Sequence, residues 1–426
     1  MKLLERMLPC LLATAAASAL WGASETPDRE AILVARVRAV MGEMLHRLPD
    51  YTCVETIERS ARNPSQTKFR LLDRVRVEVA YFKGSELYAW PGAPKLEERD
   101  LAEMVGGEGA IGTGDFALHL MAVYRGMAPL HFAGDDTMRG RAALKFTQTV
   151  PIALSNYMVY APPVKGVVGY EVTAWHDAQS LELLRFELRV TEFPAGMPIR
   201  KVFKAIEYQD ATVGGSGFRL PAVTELSMLR DTGLEGRTLS TFAHCRQYLG
   251  ESTITYGDPE PAAEEQEAAR TSAKLPAGVK VPLKLDREIE LTTAARGDLL
   301  EMSVSREVVH NGRTVLAKGT KVAARIEGLF CGTAPYANCF VLLKTETYED
   351  AARTGPFSGL LETPSLEHQL TESRNGMTHV RSVSIPDEVA HAGNDAGILF
   401  AAPSTKLPRG YPMIWRTLEV PGGSTP

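Results

Sequence analysis

The sequence predicts a mainly β, α+β fold: an opening amphipathic helix, a large antiparallel sheet packed on helices, and a smaller β domain after it. Three observations lead there. Period-2 apolar alternation recurs between residues 69 and 248, helical periodicity is confined to a few segments, and a polar stretch without large apolar side chains follows Gly257. An antiparallel sheet keeps one face wet and needs apolar cover on the other, and the opening helix is available for it.

Ahead of that helix, Lys2 and Arg6 precede an apolar run from Leu8 to Ala19, too short to span a bilayer, so residues 1–24 read as a secretory signal cleaved after Ala19 or Ser24. Cys10 lies too early, and without a preceding small residue, for a lipoprotein site. No later window is apolar over about 18 residues, so the mature chain is expected to be exported, periplasmic or extracellular, and not integral to the membrane. At 426 residues it is long enough for two or three domains. Its 47 basic and 52 acidic residues leave a formal charge of −5, which speaks against a nucleic-acid partner.

From Asp28 to Leu48, Ile32, Ala35, Val40, Met44 and their neighbours fall at helical spacings between charges, and Pro49 ends the helix. Phe69, Leu71, Val75, Val77, Val79 and Tyr81 then alternate with Arg70, Arg74, Arg76 and Glu78 in a long strand, and Lys83-Gly84-Ser85 turns it into a partner from Glu86 to Trp90. The same alternation appears at Leu144–Gln148, Leu184–Val190, Val202–Tyr208, Ala222–Leu229 and Leu239–Tyr248. These strands place the first domain at 25–257. Residues 258–278 read as an acidic Pro/Ala/Glu linker, 279–419 as the second β domain, and 420–426 as a disordered tail. In the second domain, Asn311-Gly312 between the runs Glu301–His310 and Thr314–Leu316 marks a hairpin, since both central positions of its turn need positive φ. A further strand spans Lys321–Ile326.

Removing the signal leaves Cys53, Cys245, Cys331 and Cys339, an even number in an oxidising compartment. Three pairings are open. Cys53 with Cys245 and Cys331 with Cys339 is favoured, because the second pair is eight positions apart across Gly332 and Pro335. No Cys-x2-Cys pair supports a zinc site.

Few motifs carry chemistry. Gly107-Glu108-Gly109-Ala110-Ile111-Gly112 fits G-x-G-x-x-G by letter, but it follows a helical turn at Asp100–Val105 rather than a buried parallel strand, so no dinucleotide cofactor is implied. It reads instead as a connector to a core helix or, more sharply, as the hinge of a lid: Gly107, Gly109 and Gly112, then Thr113 and Asp115 at a helix start, then Phe116, Leu120 and Val123 on one apolar face. Gly214-Gly215-Ser216-Gly217-Phe218 fails the nucleophile-elbow pattern at its last position and is a turn. Glu97-Glu98 and Asp135-Asp136 are adjacent carboxylates of the kind that mark solvated edges. The nine histidines form no metal spacing, and no cofactor or metal is expected.

Gly169 to Arg185, with Trp175, Asp177, Ser180, Leu181 and Arg185 as W-x-D-x-x-[ST]-L-x-x-x-R, resembles the strand-turn-strand signature of LolA-like and RseB-like periplasmic proteins. Phe218-Arg219-Leu220-Pro221 is similar to the segment that continues the sheet in those proteins, and Tyr51-Thr52-Cys53 with Phe242-Ala243-His244-Cys245-Arg246 resembles secreted bacterial proteins on the same plan. The resemblance implies an incomplete β-barrel curved around a helix over residues 28–257, in a family that carries acyl chains or senses envelope components. Ala295-Arg296-Gly297-Asp298 and Val315–Thr320, before a strand ending at Arg325–Gly328, resemble the β-domain of TrbI-type secretion proteins, which implies a compact β-barrel that meets an envelope partner. The expected function is non-catalytic: binding of a lipid or acylated protein in the half-barrel. The alternatives are an envelope assembly protein with a filled core and no small ligand, and a secreted hydrolase.

Overall fold

The computed structural model describes residues 28–93, 96, 100–106, 109–161, 164–248, 271–272, 274–331, 339–363, 397–401 and 406–419. The expected signal (1–24), Gly107, Glu97-Glu98, most of the linker and the tail lie outside the described residues. The first half is α1 (Arg29–Arg47), β1 (Tyr51–Arg62), β2 (Arg70–Phe82), β3 (Ser85–Ala89), α2 (Leu101–Val105), α3 (Leu118–Tyr124), β4 (His131–Met138), β5 (Arg141–Val150), β6 (Met158–Ala161), β7 (Val164–Val167), β8 (Gly169–Asp177), β9 (Leu183–Glu192), β10 (Ile199–Val213), β11 (Ser216–Arg230) and β12 (Glu235–Gln247).

Ten of these strands form one antiparallel sheet in the order β3-β2-β1-β12-β11-β10-β9-β8-β5-β4, curled into a half-barrel. Register shifts interrupt pairing at Thr52/Val54, Arg59/Ser60, Glu207/Tyr208 and Trp175/His176. Each bulge bends its strand and increases the local twist, which is how a sheet of long strands curls instead of staying flat. The turns follow the sequence: Lys83 and Gly84 have φ of 48° and 86°, and Gly214 and Gly215 have 57° and 79°. Asp177 accepts from the N–H groups of Gln179 and Ser180 at 2.9 and 3.0 Å, closing the turn after Trp175. Leu181 of that signature sits in the turn at φ 62°, and β9 begins at Leu183.

The inner face carries a single core. Val37, Met41 and Leu45 of α1 and Leu120 and Val123 of α3 are buried in it together with alternate residues of the strands. Cys53 and Cys245 form a disulfide across the seam where the first and last strands of the sheet pair.

A second core belongs to the C-terminal sheet, whose central strands are Lys280–Leu285, Leu299–Val304, Lys321–Cys331, Cys339–Glu349 and Pro412–Thr417. Cys331 is bonded to Cys339 there. The expected strand Glu301–His310 breaks after Val304, and Val308–His310 pairs instead with Arg313–Leu316 across Asn311 (φ 49°) and Gly312 (φ 74°). Leu316 is buried.

The alternating arginines of β2 are not a purely solvated face. β3 ends opposite Glu78, and the bare edge of β2 below it takes a bridge from Arg296: Arg76 N–H donates to Arg296 O at 2.8 Å, and Arg296 N–H to Arg74 O at 2.9 Å. The Arg76 side chain pairs with Asp298, and Arg325 donates to Pro91 O at 2.8 Å.

Candidate functional site

Between β3 and β4, the described residues 100–106 and 109–124 pack on the core of the half-barrel as a cover, called residues 100–124 below. Asp100 caps α2 by accepting from the N–H groups of Ala102 and Glu103. From residue 109 the cover runs without helix or strand to α3, and Gly106, Gly109 and Gly114 have φ of 58°, 115° and 89°. Phe116 is wedged between the rings of Tyr51 and Phe242, with centroids 4.9 and 5.3 Å away in edge-on geometry. Leu120 and Val123 are buried in the same core. Of the predicted lid residues, Phe116, Leu120 and Val123 are buried in the core, Gly112 is half-buried and Gly109 is exposed.

An irregular segment cannot be buried unless its backbone polar groups find partners. The strands supply them from side chains that sequence reasoning did not single out. Arg59 on β1 donates to Gly106 O at 2.7 Å while its guanidinium is held by Asp73. Thr238 on β12 donates to Ala110 O at 2.6 Å. Lys204 on β10, fully buried, donates to Thr113 O at 2.7 Å and pairs with the Asp115 carboxylate. Glu86 on β3 accepts from the N–H groups of Gly114 and Phe116 at 2.7 and 3.1 Å. From the C-terminal half, Arg296, which lies just before the strand Leu299–Val304, donates to Val105 O. Asp115 is thus not the cap of α3; it neutralises Lys204, and α3 starts three residues later.

These anchors explain the glycines. A Cβ on Gly109 would stand 3.1 Å from Arg59 Cδ, and one on Gly112 would stand 3.1 Å from Lys204 Cε and 3.3 Å from Leu226 Cδ2. The chain passes so close over the two buried cations that a Cβ at either position would make its neighbours give by a few tenths of an ångström.

The inner face is consequently amphipathic, not uniformly apolar. Around the Lys204–Asp115 pair stand Glu55, Glu86, Tyr51, Tyr88, Tyr208 and His119, all buried or nearly so. Burial, reinforced by the negative charge of Asp115, pushes the Glu55 carboxyl up to about 8, against a hydrogen bond from Ser240. Glu55 is therefore mainly a neutral acid at pH 7. Burial also raises Glu86, although Tyr88 and two backbone N–H groups hydrogen-bond its anion. His119 is held well below its ordinary range by burial and by the charge of Lys204, whose Nζ lies 3.1 Å from Nε2, so its imidazole is neutral. The hydroxyls of Tyr51, Tyr208 and Thr224 are buried and have no hydrogen-bond partner among the described residues. An orphaned hydroxyl in a core costs about 1–3 kcal/mol.

Other candidates are structural. Asp135 pairs with Arg29, and Asp136 accepts from Trp175 Nε1 at 2.9 Å, both at the exposed edge of β4. Among the described residues, no group of three or more His, Cys, Asp or Glu side chains is arranged to hold a metal ion, and no helix is long and apolar enough to cross a membrane.

No protein-family model and no curated protein matches the sequence. Among solved structures the chain is similar to a DUF1329 family protein from Desulfovibrio piger, with 12% identity, 51% of this chain and 95% of that chain covered, and a TM-score of 0.31.

Proposed function

We propose that the chain is an exported, non-catalytic binding protein whose half-barrel takes an amphiphile, a lipid or an acylated protein, beneath the cover at residues 100–124. One arrangement carries this reading: Phe116, Leu120 and Val123 fill the trough as an apolar chain would, while Tyr51, Tyr208 and Thr224 offer unpartnered hydroxyls beside them. Swinging the cover out at Gly106 and Gly109 would free apolar space with polar groups at hand, which suits a ligand with a greasy body and a polar head. The proposal includes a first domain on the LolA/RseB plan at 25–257, a linker at 258–278, and a second domain at 279–419 on a TrbI-like plan that meets an envelope partner. The two disulfides are compatible with export.

Protein purified from envelope extracts without detergent should show, by native mass spectrometry, a mass above that of the chain and an organic-extractable ligand. A clean apo mass in every preparation, together with no fluorescence gain from an acyl-chain probe, overturns the reading in favour of an assembly protein with a filled core. A secreted hydrolase is the second reading, favoured by Glu55: a buried carboxyl poised near 8 beside Lys204, Asp115 and His119 has the character of a general acid–base. Turnover of ester substrates that disappears in Glu55→Gln would establish it.

A further inference from the structure

Nine large apolar side chains are exposed among the described residues, and six of them, Leu118, Met127, Ile152, Leu154, Met158 and Tyr160, fall in two segments, 118–130 and 152–168. Met127 is 86% exposed and Tyr160 57%. The two segments meet. The Tyr157 ring stands edge-on 5.4 Å from His119 of α3. Gln148, near the end of β5, donates to Val123 O and Ala128 O at 3.3 and 2.8 Å, which ties the loop after α3 to the strand leading into Ile152.

Charge within the two segments is one-sided. Neither segment contains an Asp or Glu, in a chain whose acidic residues outnumber its basic ones by 52 to 47. Arg125 and Lys165 are exposed within them, and Arg38 of α1 reaches in to donate to Ala128 O at 3.1 Å. One carboxylate reaches the face from β9: Glu192 accepts from Ile152 N–H at 3.2 Å. Flexible aliphatic side chains and a tyrosine, in segments that carry Arg125 and Lys165 and no acid of their own, are a composition that enters a lipid headgroup layer: the apolar tips bury below the phosphates and the cations pair with them.

We propose that this face docks on an anionic phospholipid surface. It adjoins the trough, because α3 turns Leu120 and Val123 inward while Leu118 faces out, and because Tyr157 of the docking face stands within the electrostatic reach of Lys204 and Asp115. The docking rests on its own surface residues; it adds to the amphiphile reading the place where a ligand would enter or leave.

The test is co-sedimentation of the full chain with vesicles of phosphatidylglycerol and phosphatidylcholine, against phosphatidylcholine alone. The wild type should bind the anionic vesicles more tightly and lose binding as salt is raised. Met127→Glu with Tyr160→Glu should weaken partitioning about tenfold or more, and Arg125→Glu or Lys165→Glu about fivefold each. Val309→Glu, an exposed apolar position in the C-terminal half, should leave it unchanged. Absence of vesicle binding, binding unaltered by the three face variants, or a concentration-dependent dimer that those variants abolish would each overturn the docking, the last by assigning the face to a second copy. Acyl-probe binding in vesicle-free buffer is read separately, so failure of the docking and failure of the ligand reading give different results.

Discussion

Glu55 makes the buried cluster visible in a stability measurement. Its carboxyl is pushed up to about 8 in the folded chain, from an ordinary value of 4.5, by burial and by Asp115. Between those values the folded protein keeps a proton that the unfolded chain has released, so this group's contribution to stability falls as pH rises and levels off above about 8. His119 acts in the opposite sense but below its ordinary value of 6.5, where the unfolded chain takes up a proton that the folded imidazole refuses. Glu55 therefore dominates the difference between pH 6.5 and 8, and each pH unit there costs about 1.4 kcal/mol. Over that window the wild type should lose about 2 kcal/mol relative to Glu55→Gln, which keeps the shape of the side chain but cannot titrate. Urea unfolding followed by circular dichroism at several pH values reads this as a difference of slopes. Parallel profiles for the two proteins would refute both the burial of Glu55 and the raised carboxyl.

The anchors of the cover give three further expected outcomes. Gly109→Ala places a side chain at φ 115° and 3.1 Å from Arg59, and should cost about 2 kcal/mol in denaturant unfolding, whereas Gly84→Ala, in an open turn at φ 86°, should cost about 1; equal losses would contradict the close approach. Lys204→Met alone strands Asp115 in the core and should cost about 3–5 kcal/mol, with Asp115→Asn added on top restoring much of the loss in a double-mutant cycle; additive effects would show that the two do not interact. The Cys53–Cys245 bridge closes a separation of 192 residues, so replacing both cysteines by alanine should destabilise the first unit by about 5 kcal/mol in the chain-entropy model, and an unchanged unfolding midpoint would exclude that role.

Most strands were legible because one side of the sheet is buried: β2, β5, β9, β10, β11 and β12 all carry the period-2 pattern that predicts them. β4 was not, since His131–Met138 is an edge strand with little of it buried, and its composition reflects solvent rather than pleat. β1 was missed for a different reason that also hid the site. Its inward positions read Tyr51, Cys53, Glu55, Ile57 and Arg59, and two charges on the apolar face break the alternation. The same signal stands in β10, where Lys204 is in phase with Val202, Ile206 and Tyr208. A charge in phase with apolar neighbours marks a buried partner, and here the partner is the cover's backbone. Sequence could locate the glycines of the cover, but not the side chains over which they pass, because those come from β1 and β10, far away in the chain.

The claim that an acyl chain replaces the cover inside the half-barrel is most directly tested by putting a reporter on the sheet itself. Phe242→Trp sets an indole on β12 beside Phe116, 5.3 Å from it as the native ring is, and a fatty acid brominated along its chain quenches an indole only on contact. Saturable quenching beyond that seen in the wild type, whose own tryptophans lie elsewhere, is the predicted result. Emission from position 242 that no concentration of brominated chain alters, in a variant that unfolds at the wild-type midpoint, would contradict it.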